Sequence, residues 1–449
     1  MFGSEAVAEE LVRRISEIAN ELLATSKVDS LSEMELAVRR ALVRLGRQML
    51  ESWLAKEGSG YAAGEIECSC GGQARYLARR EGILLTALGA VRYKRAYYLC
   101  PQCHRGTYPL DERLGLRPGE VSAGLESLLG IVGAGLPFAR GTELFERLTM
   151  VEASTQSVSN ATEAMGEEVM KVEEEWKVAS HDPRAIDAQE HTGEGEKRLY
   201  GALDAVKFHS RGKRTEEDNG WRDLKVGTWF LTDGTPPSEP DGEWEVRARD
   251  ITYYCDIAEA EKFGELLWAT GFQRAALRAK ELVFVSDGAE WIWNLVTEHF
   301  PQAVQIVDWF HAAERLGDVA AAVFEQSEEK KAWLTRTRAW LWQGDVEGVI
   351  GACEGLAERK GSSEAIKAAG YFRKHQKRMA YGELRKKGYQ IGSGTVESAC
   401  KQVGIQRMKV PGATWSLEGA RRTAKARAAW MSGQWDEVAA RRKHLRKAA

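Results

Sequence analysis

Long hydrophobic runs are missing from this sequence. No apolar stretch approaches the roughly 18 residues that cross a bilayer, so no membrane span is expected. The opening Met1-Phe2-Gly3-Ser4-Glu5 is acidic and amphipathic, without the basic start of a signal peptide. Cysteine is scarce: seven in 449 residues, four of them between 68 and 103, with Cys255, Cys353 and Cys400 scattered. That argues against a disulfide framework and for a metal site in a reducing cytosol. Excess charge is also missing, since the net charge is −3. What is present is 43% hydrophobic and 29% charged residues, enough for about two to four domains and a large core.

The near-neutral total hides an asymmetry. From Tyr371 to the end, 19 Lys and Arg stand against 5 Asp and Glu, while Glu163–Glu196 is strongly acidic. A basic working face for nucleic acid fits this, and so does a solvated basic helix.

Residues 1–60 read as two amphipathic helices, with Val7, Leu11, Ile15, Ile18 and Leu22 on one stripe and Leu31, Met34, Val38, Leu42, Leu45, Met49 and Trp53 on the other. Ser32-Glu33-Met34-Glu35 reads as a capping box, with Leu31 and Leu36 set for a hydrophobic staple. Two helices cannot cover both stripes, so they are expected to pack on a later domain or on a second subunit.

Residues 61–112 read as a zinc ribbon. Cys68-Ser69-Cys70 and Cys100-Pro101-Gln102-Cys103 flank a hairpin of Ile83–Leu88 and Val91–Leu99 around Gly89-Ala90. Two tight cysteine pairs on facing turns supply the tetrahedron that structural Zn2+ takes, with no open position for water. His104 is the neighbouring alternative ligand. So small a segment needs such a staple, which four buried thiols would not provide.

Residues 113–180 read as helices over about 122–135, 138–148 and 154–176, broken at Leu136-Pro137. The pattern fits a helix-turn-helix whose last helix begins with Ser154, Thr155 and Ser157, short polar groups suited to DNA. A plain helical hairpin fits it equally well.

Residues 181–312 predict a mixed sheet. Strands are expected at Leu199–Val206, Leu224–Leu231, Val246–Cys255, Glu281–Ser286 and Ala303–Val307, with helices at Glu259–Leu277 and 289–299. The order β-β-β-α-β-α-β is that of a ribonuclease-H-like fold. Ser210–Trp221 and Thr232–Asp241 read as exposed connections. Residues 313–388 read as an all-helical insertion carrying Trp333, Trp340 and Trp342. Residues 389–449 read as a helix bearing Glu397, followed by basic helices. The fold class is therefore multidomain α+β.

Metal-dependent phosphoryl transfer needs carboxylates converging on two Mg2+ or Mn2+ ions. Asp204 lies within the first expected strand, Asp287 at the tip of the fourth, and Glu397 in the first turn of a helix opened by Gly392-Ser393-Gly394. Lys401 is expected one turn beyond Glu397 on the same face. Arg407 and Lys409, with Arg421 and Arg422 in the basic tail, suit strand phosphates. Each acid alone also fits a turn or a helix start. Asp308 and His311 follow the fifth strand. Asp308 either orients His311 for work at the site, or the pair fastens the strand end to the next helix.

Ser286-Asp287-Gly288-Ala289-Glu290-Trp291-Ile292-Trp293-Asn294 and Gln305-Ile306-Val307-Asp308-Trp309-Phe310-His311-Ala312 resemble bacterial insertion-sequence transposases of the Kra type. So do Gly392–Lys401, Ala413–Ala420, the Cys68–Cys103 segment and Tyr371-Phe372-Arg373-Lys374-His375, in matching order. The resemblance implies a DDE transposase with a ribonuclease-H-like core and a helical insertion. It implies catalytic Asp204, Asp287 and Glu397, an Asp-x-x-His signature at Asp308 and His311, and an insertion-domain Trp that stacks on a flipped base in some relatives. Core packing is the plainer role for Trp333, Trp340 and Trp342. The partners implied are double-stranded DNA, as terminal inverted repeats and target, and a second copy of the chain. The setting implied is the bacterial cytoplasm, at the nucleoid. One departure stands out: the family's first acid lies in Asp-Gly-Thr, whereas this strand reads Leu203-Asp204-Ala205-Val206, with Asp187 as the alternative. A catalytically silent DNA-binding regulator and a nuclease acting on RNA or hybrids are the competing functions.

Overall fold

The computed structural model describes residues 2–24, 30–191, 195–211, 220–236, 244–325 and 328–448. Of the two expected connections, residues 212–219 and 237–241 lie outside the described residues, as do the side chains of Val7 and Leu11. The chain is multidomain α+β and forms two compact units, residues 1–168 with 435–449, and residues 169–434. Among the described residues no helix is long and apolar enough to cross a membrane.

The first unit opens with helices Phe2–Ala24 and Leu31–Lys56. The second helix starts earlier than its sequence pattern suggests: Ser30, not Ser32, is the cap, and its hydroxyl accepts from the Glu33 amide at 3.3 Å. Ser30 is extended, as a cap must be, and Ser32 is already helical. Leu31 and Leu36 remain exposed, so no staple forms.

A four-stranded antiparallel sheet follows, ordered β1 (Glu65–Glu67), β2 (Gln73–Thr86), β3 (Gly89–Leu99) and β4 (Gly106–Thr107). Its main hairpin turns at Ala87-Leu88, two residues before the expected Gly89-Ala90. The Thr86 hydroxyl fixes that turn by donating to the Gly89 carbonyl and accepting from the Leu88 amide, and Gly89 takes the positive φ of +99° that closes it. Helices Ala123–Gly135, Phe138–Thr149 and the start of Thr155–Ser180 share a core of Leu125, Leu129, Phe145 and Val158. The last helix, Trp435–Ala448, returns to this unit. Trp435 is 4% exposed and donates to the Ser127 hydroxyl at 2.9 Å, while Arg442 forms a two-pronged pair with buried Glu126.

The second unit holds a five-stranded mixed sheet of β5 (Arg198–His209), β6 (Trp221–Thr235), β7 (Glu245–Asp256), β8 (Glu281–Ser286) and β9 (Val304–Val307). The spatial order is β7-β6-β5-β8-β9. β5, β6 and β7 pair antiparallel, whereas β8 runs parallel to β5 and β9 parallel to β8. The first three strands outrun their apolar cores because hairpin pairing carries them into polar residues. Helix Ala260–Gln273 stops short of Leu277, since Ala275 turns left-handed at φ 55°. Trp229, Phe230, Phe263, Phe284 and Phe300 fill the core, each 1% exposed or less. A side chain of that size contributes about 1.5–3 kcal/mol when buried. Between β9 and helix Gly394–Ala399 the described regular elements are all helical, from Trp309–Val323 to Tyr381–Lys386.

Candidate functional site

In the first unit, the four cysteines meet at the open end of the β2–β3 hairpin. Cys68 Sγ lies 3.6 Å from Cys103 Sγ, and Cys70 Sγ lies 3.7 Å from Cys100 Sγ. All four sulfurs are within 4.8 Å of one another. A zinc tetrahedron with Zn–S bonds of about 2.3 Å has sulfur–sulfur edges of about 3.8 Å, so these residues fit the ion. The turns that aim them are hydrogen-bonded: Cys68 exchanges backbone bonds with Gly71 and Gly72, and Cys100 with His104 and Arg105. Backbone N–H groups of Cys103 and Gln102 pull the Cys100 thiol down to about 7, whereas, against the Gly72 amide, the Cys103 and Cys68 thiols push Cys70 up to about 12, as crowding of four sulfurs requires. His104 is not part of the cluster.

In the same unit, the hydroxyls of Ser154 and Ser157 hydrogen-bond each other at 2.8 Å, and Ser154 caps the helix by accepting from the Ser157 amide. Thr155 receives a bond from Thr142 at 3.4 Å. These groups serve the helix start, although Ser154 and Thr155 remain exposed.

In the second unit, Asp204 lies midway along β5, Asp287 just past the end of β8, and Glu397 in the first turn of helix Gly394–Ala399. β5 and β8 pair in parallel from Arg198↔Glu281 to Gly201↔Phe284. Continued past its last pair, that register puts position 204 beside position 287, one residue beyond the end of β8. The Ser286 hydroxyl ties β8 to β5 by accepting from the Leu203 amide at 2.9 Å. Asp204 is half-buried, and its carboxylate accepts from the Ala205 amide at 2.6 Å. Burial above all, and then the charge of Asp287, hold the Asp204 carboxyl above its ordinary value. Asp287 caps its turn by accepting from the Ala289 amide at 2.9 Å.

Asp308 is fully buried and organises this edge. Its amide donates to the Ser286 carbonyl at 2.8 Å. One carboxylate oxygen accepts from the His311 backbone amide at 2.7 Å, and the other from the Ser393 amide, which caps the helix of Glu397. Asp308 thus holds the His311 backbone and not its ring, because a helix cap directs the carboxylate at amides. The ring lies between two other carboxylates, with Nε2 3.6 Å from Glu397 and Nδ1 3.6 Å from Glu314.

Ligand atoms of Asp308, His311 and Glu397 lie within 4.8 Å of one another, whereas Asp204, Asp287 and Glu397 form no such tight group. Beyond Glu397 the helix widens into a π-helical stretch, Cys400–Ile405, whose Gly404 packs so closely on Val206 that a Cβ would overlap it. The Cys400 thiol is buried against Asp204, which pushes its pKa up.

The sequence pattern missed several neighbours. Tyr371 covers Gly288, where a Cβ would meet its ring at 2.3 Å, and His375 behind it is pushed down to about 4 by burial. Both lie in a block noted only for resemblance. Arg315 lines a cavity of about 400 Å³ with Asp287, His311 and Tyr371. Trp333 is buried against Phe324, Trp342 is packed between Trp309 and Arg385, and Trp340 lies under Arg336. The exposed aromatic beside Glu397 is Phe310, at 65%.

The basic residues divide. Lys401 and Lys409 are exposed. Arg407 is 2% exposed with its guanidinium over Trp415, a packing position that keeps it from solvent. Arg421 is held by Asp256, Glu418 and the Ile257 carbonyl, and Arg422 is half-buried. Asp187 lies on the exposed helix Pro183–His191, paired with His191.

No family model and no curated protein matches the chain. Among solved structures, a Drosophila P element transposase strand transfer complex is similar over 73% of this chain and 83% of that chain, at 9% identity and a TM-score of 0.22. Likeness at that level fixes no chemistry, which rests on the residues above.

Proposed function

We propose that this chain is a metal-dependent DNA transposase of the insertion-sequence kind, with a ribonuclease-H-like core and catalytic Asp204, Asp287 and Glu397. The observation that supports the reading is the β5–β8 register, which, continued past its last pair Gly201↔Phe284, puts Asp204 beside Asp287 just after β8, where the charge of Asp287 reaches Asp204. His311 links Glu397 to them, lying 3.6 Å from its carboxylate and within electrostatic reach of Asp204. Two carboxylates crowded on neighbouring strands, one raised by burial and by the other, form a donor set suited to divalent cations. Asp204, Asp287 and Glu397 would hold the ions through carboxylate oxygens, the ligands that Mg2+ and Mn2+ prefer. When bound, Mg2+ or Mn2+ activates the attacking oxygen and stabilises the leaving one.

The chain's own residues then have separate tasks. Asp308 fixes the helix starts that carry His311 and Glu397. Lys401 and Lys409 face solvent where backbone phosphates can be held. Water attacks a phosphodiester at the element end and frees a 3′-hydroxyl, which attacks target DNA in line. The cysteine cluster holds one structural Zn2+. Paired ends call for at least a homodimer. Val12, Ile15, Val38 and Leu42 of the first two helices, all exposed, are the contact. Leu42→Glu should shift the mass seen by light scattering toward the monomer, and an unchanged mass would move the contact elsewhere.

The direct test is nicking of an end-bearing duplex in Mg2+ or Mn2+. Glu397→Gln should abolish cleavage and leave end binding intact. Normal cleavage in that variant removes Glu397 from the site. Binding without cleavage by the unaltered chain indicates the silent regulator, and preference for hybrids indicates the nuclease.

A further inference from the structure

The basic C-terminal stretch, which the sequence marks as the place for nucleic acid, turns much of its charge inward. Arg407, Lys425 and Arg427 are buried, Arg421 is paired with Asp256, and Arg442 with Glu126. A second cationic surface lies on the cysteine-anchored hairpin of the first unit. Between Gln73 and Arg105 seven Lys and Arg stand against Glu81 alone, in a chain whose net charge is −3. Arg75, Arg79, Arg80, Arg92 and Lys94 are all exposed.

We propose that the β2–β3 hairpin is a docking face for the phosphate backbone of double-stranded DNA, centred on Arg79, Arg92 and Lys94. The register makes these three neighbours. Arg79 lies opposite Ala96, Lys94 opposite Glu81 and Arg92 opposite Ile83, so with a period of two they share one face of the ribbon. Arg79 and Lys94 form no ion pair among the described residues, and Arg92 touches Glu81 only at 3.7 Å. The opposite face is already committed: Arg80 stacks on Tyr97 at 3.7 Å and Arg95 on Tyr108 at 3.8 Å, and Arg95 pairs with Asp111. The ribbon is also a rigid platform. The cysteine cluster ties one end, and the Tyr93 hydroxyl ties the middle to Asp111 at 2.8 Å. Fixed cations on a rigid strand pair displace counterions from duplex DNA without first being ordered. The inference takes the identity of the polymer from the function proposed above, while the position of the face stands on the hairpin's own charge and register.

The test is binding of the full-length, zinc-loaded chain to a random-sequence duplex, without divalent ions other than zinc, across a salt series. Binding is then read apart from cleavage. Arg79→Ala with Lys94→Ala should make the slope of log affinity against log salt shallower by about 1.8, or about 0.9 for each phosphate contact removed. Arg359→Ala with Lys360→Ala removes the same charge from an exposed helix end elsewhere and should leave the slope unchanged. An unchanged slope in the hairpin variant, an equal fall in the control, or no duplex binding by the unaltered chain overturns the proposal. Duplex binding with the expected slope but no metal-dependent cleavage would instead overturn the catalytic reading and leave this one standing.

Discussion

Asp204 sits in the strand where a carboxylate is least comfortable, half-buried and within reach of the charge of Asp287. Burial and then Asp287 raise its carboxyl, so the folded chain binds that proton more tightly than the unfolded chain. Without divalent metal, this contribution to stability is fullest below the ordinary carboxylate value and is lost as pH rises through the raised one. Asp204→Asn should therefore raise the metal-free melting temperature at neutral pH and flatten its pH dependence, as read by calorimetry. A lower melting temperature would mean that the Ala205 and Cys400 bonds outweigh burial. Asp308 has the opposite character: equally acidic in the sequence, it is satisfied by two amides and acts through Ser393 and His311.

Helix Leu417–Met431 carries the same lesson for a whole element. Its sequence looks like a solvated basic helix, yet Lys425 is 1% exposed and pairs with Glu173 and, at 3.1 Å, with Asp256. Burial opposes the charge on both Lys425 and Asp256. Even so, Glu173 and Asp256 hold the ammonium above its ordinary value, while Lys425 and Arg421 hold the Asp256 carboxyl below its own. Lys425→Met leaves the buried Glu173 carboxylate without its partner, while Asp256 keeps Arg421, and should cost about 3–5 kcal/mol by denaturant unfolding. Adding Glu173→Gln should recover part of it. A cost below about 1 kcal/mol would show that the pair matters little. The Asp256 contribution is present above the ordinary carboxylate range and is lost as pH falls through its lowered value.

At the scale of the whole molecule, the chain closes on itself: residues 435–449 belong with 1–168. Within that unit the hairpin core of Ala74, Ala96 and Tyr98 is small and includes Cys68 and Cys100. Structural zinc supplies on the order of 10–16 kcal/mol in small zinc-finger peptides, so an ion held by the four cysteines would stabilise a core this small. The purified chain should carry one zinc by elemental analysis. Cys100→Ser or a strong chelator should remove it and expose the hairpin amides to hydrogen exchange. Full zinc occupancy in Cys100→Ser would exclude Cys100 as a ligand.

Local chemistry was legible in the sequence. The apolar run Glu281–Ser286 gave a strand with those bounds, and the paired cysteines gave a cluster with sulfur spacing fit for zinc. Runs and spacings of this kind are set by neighbours along the chain. The turn at Ala87-Leu88 and the cap at Ser30 shifted by two residues, because side-chain hydroxyls chose among similar candidates. Only tertiary structure decided which acids stand level, since the β5–β8 register joins residues 83 positions apart. It also decided which cations reach solvent. Lys425 finds Glu173 a distance of 252 residues back along the chain, and no composition window contains both. The basic tail counted in the sequence is thus partly core, and exposed cations are found on the hairpin as well as on the tail.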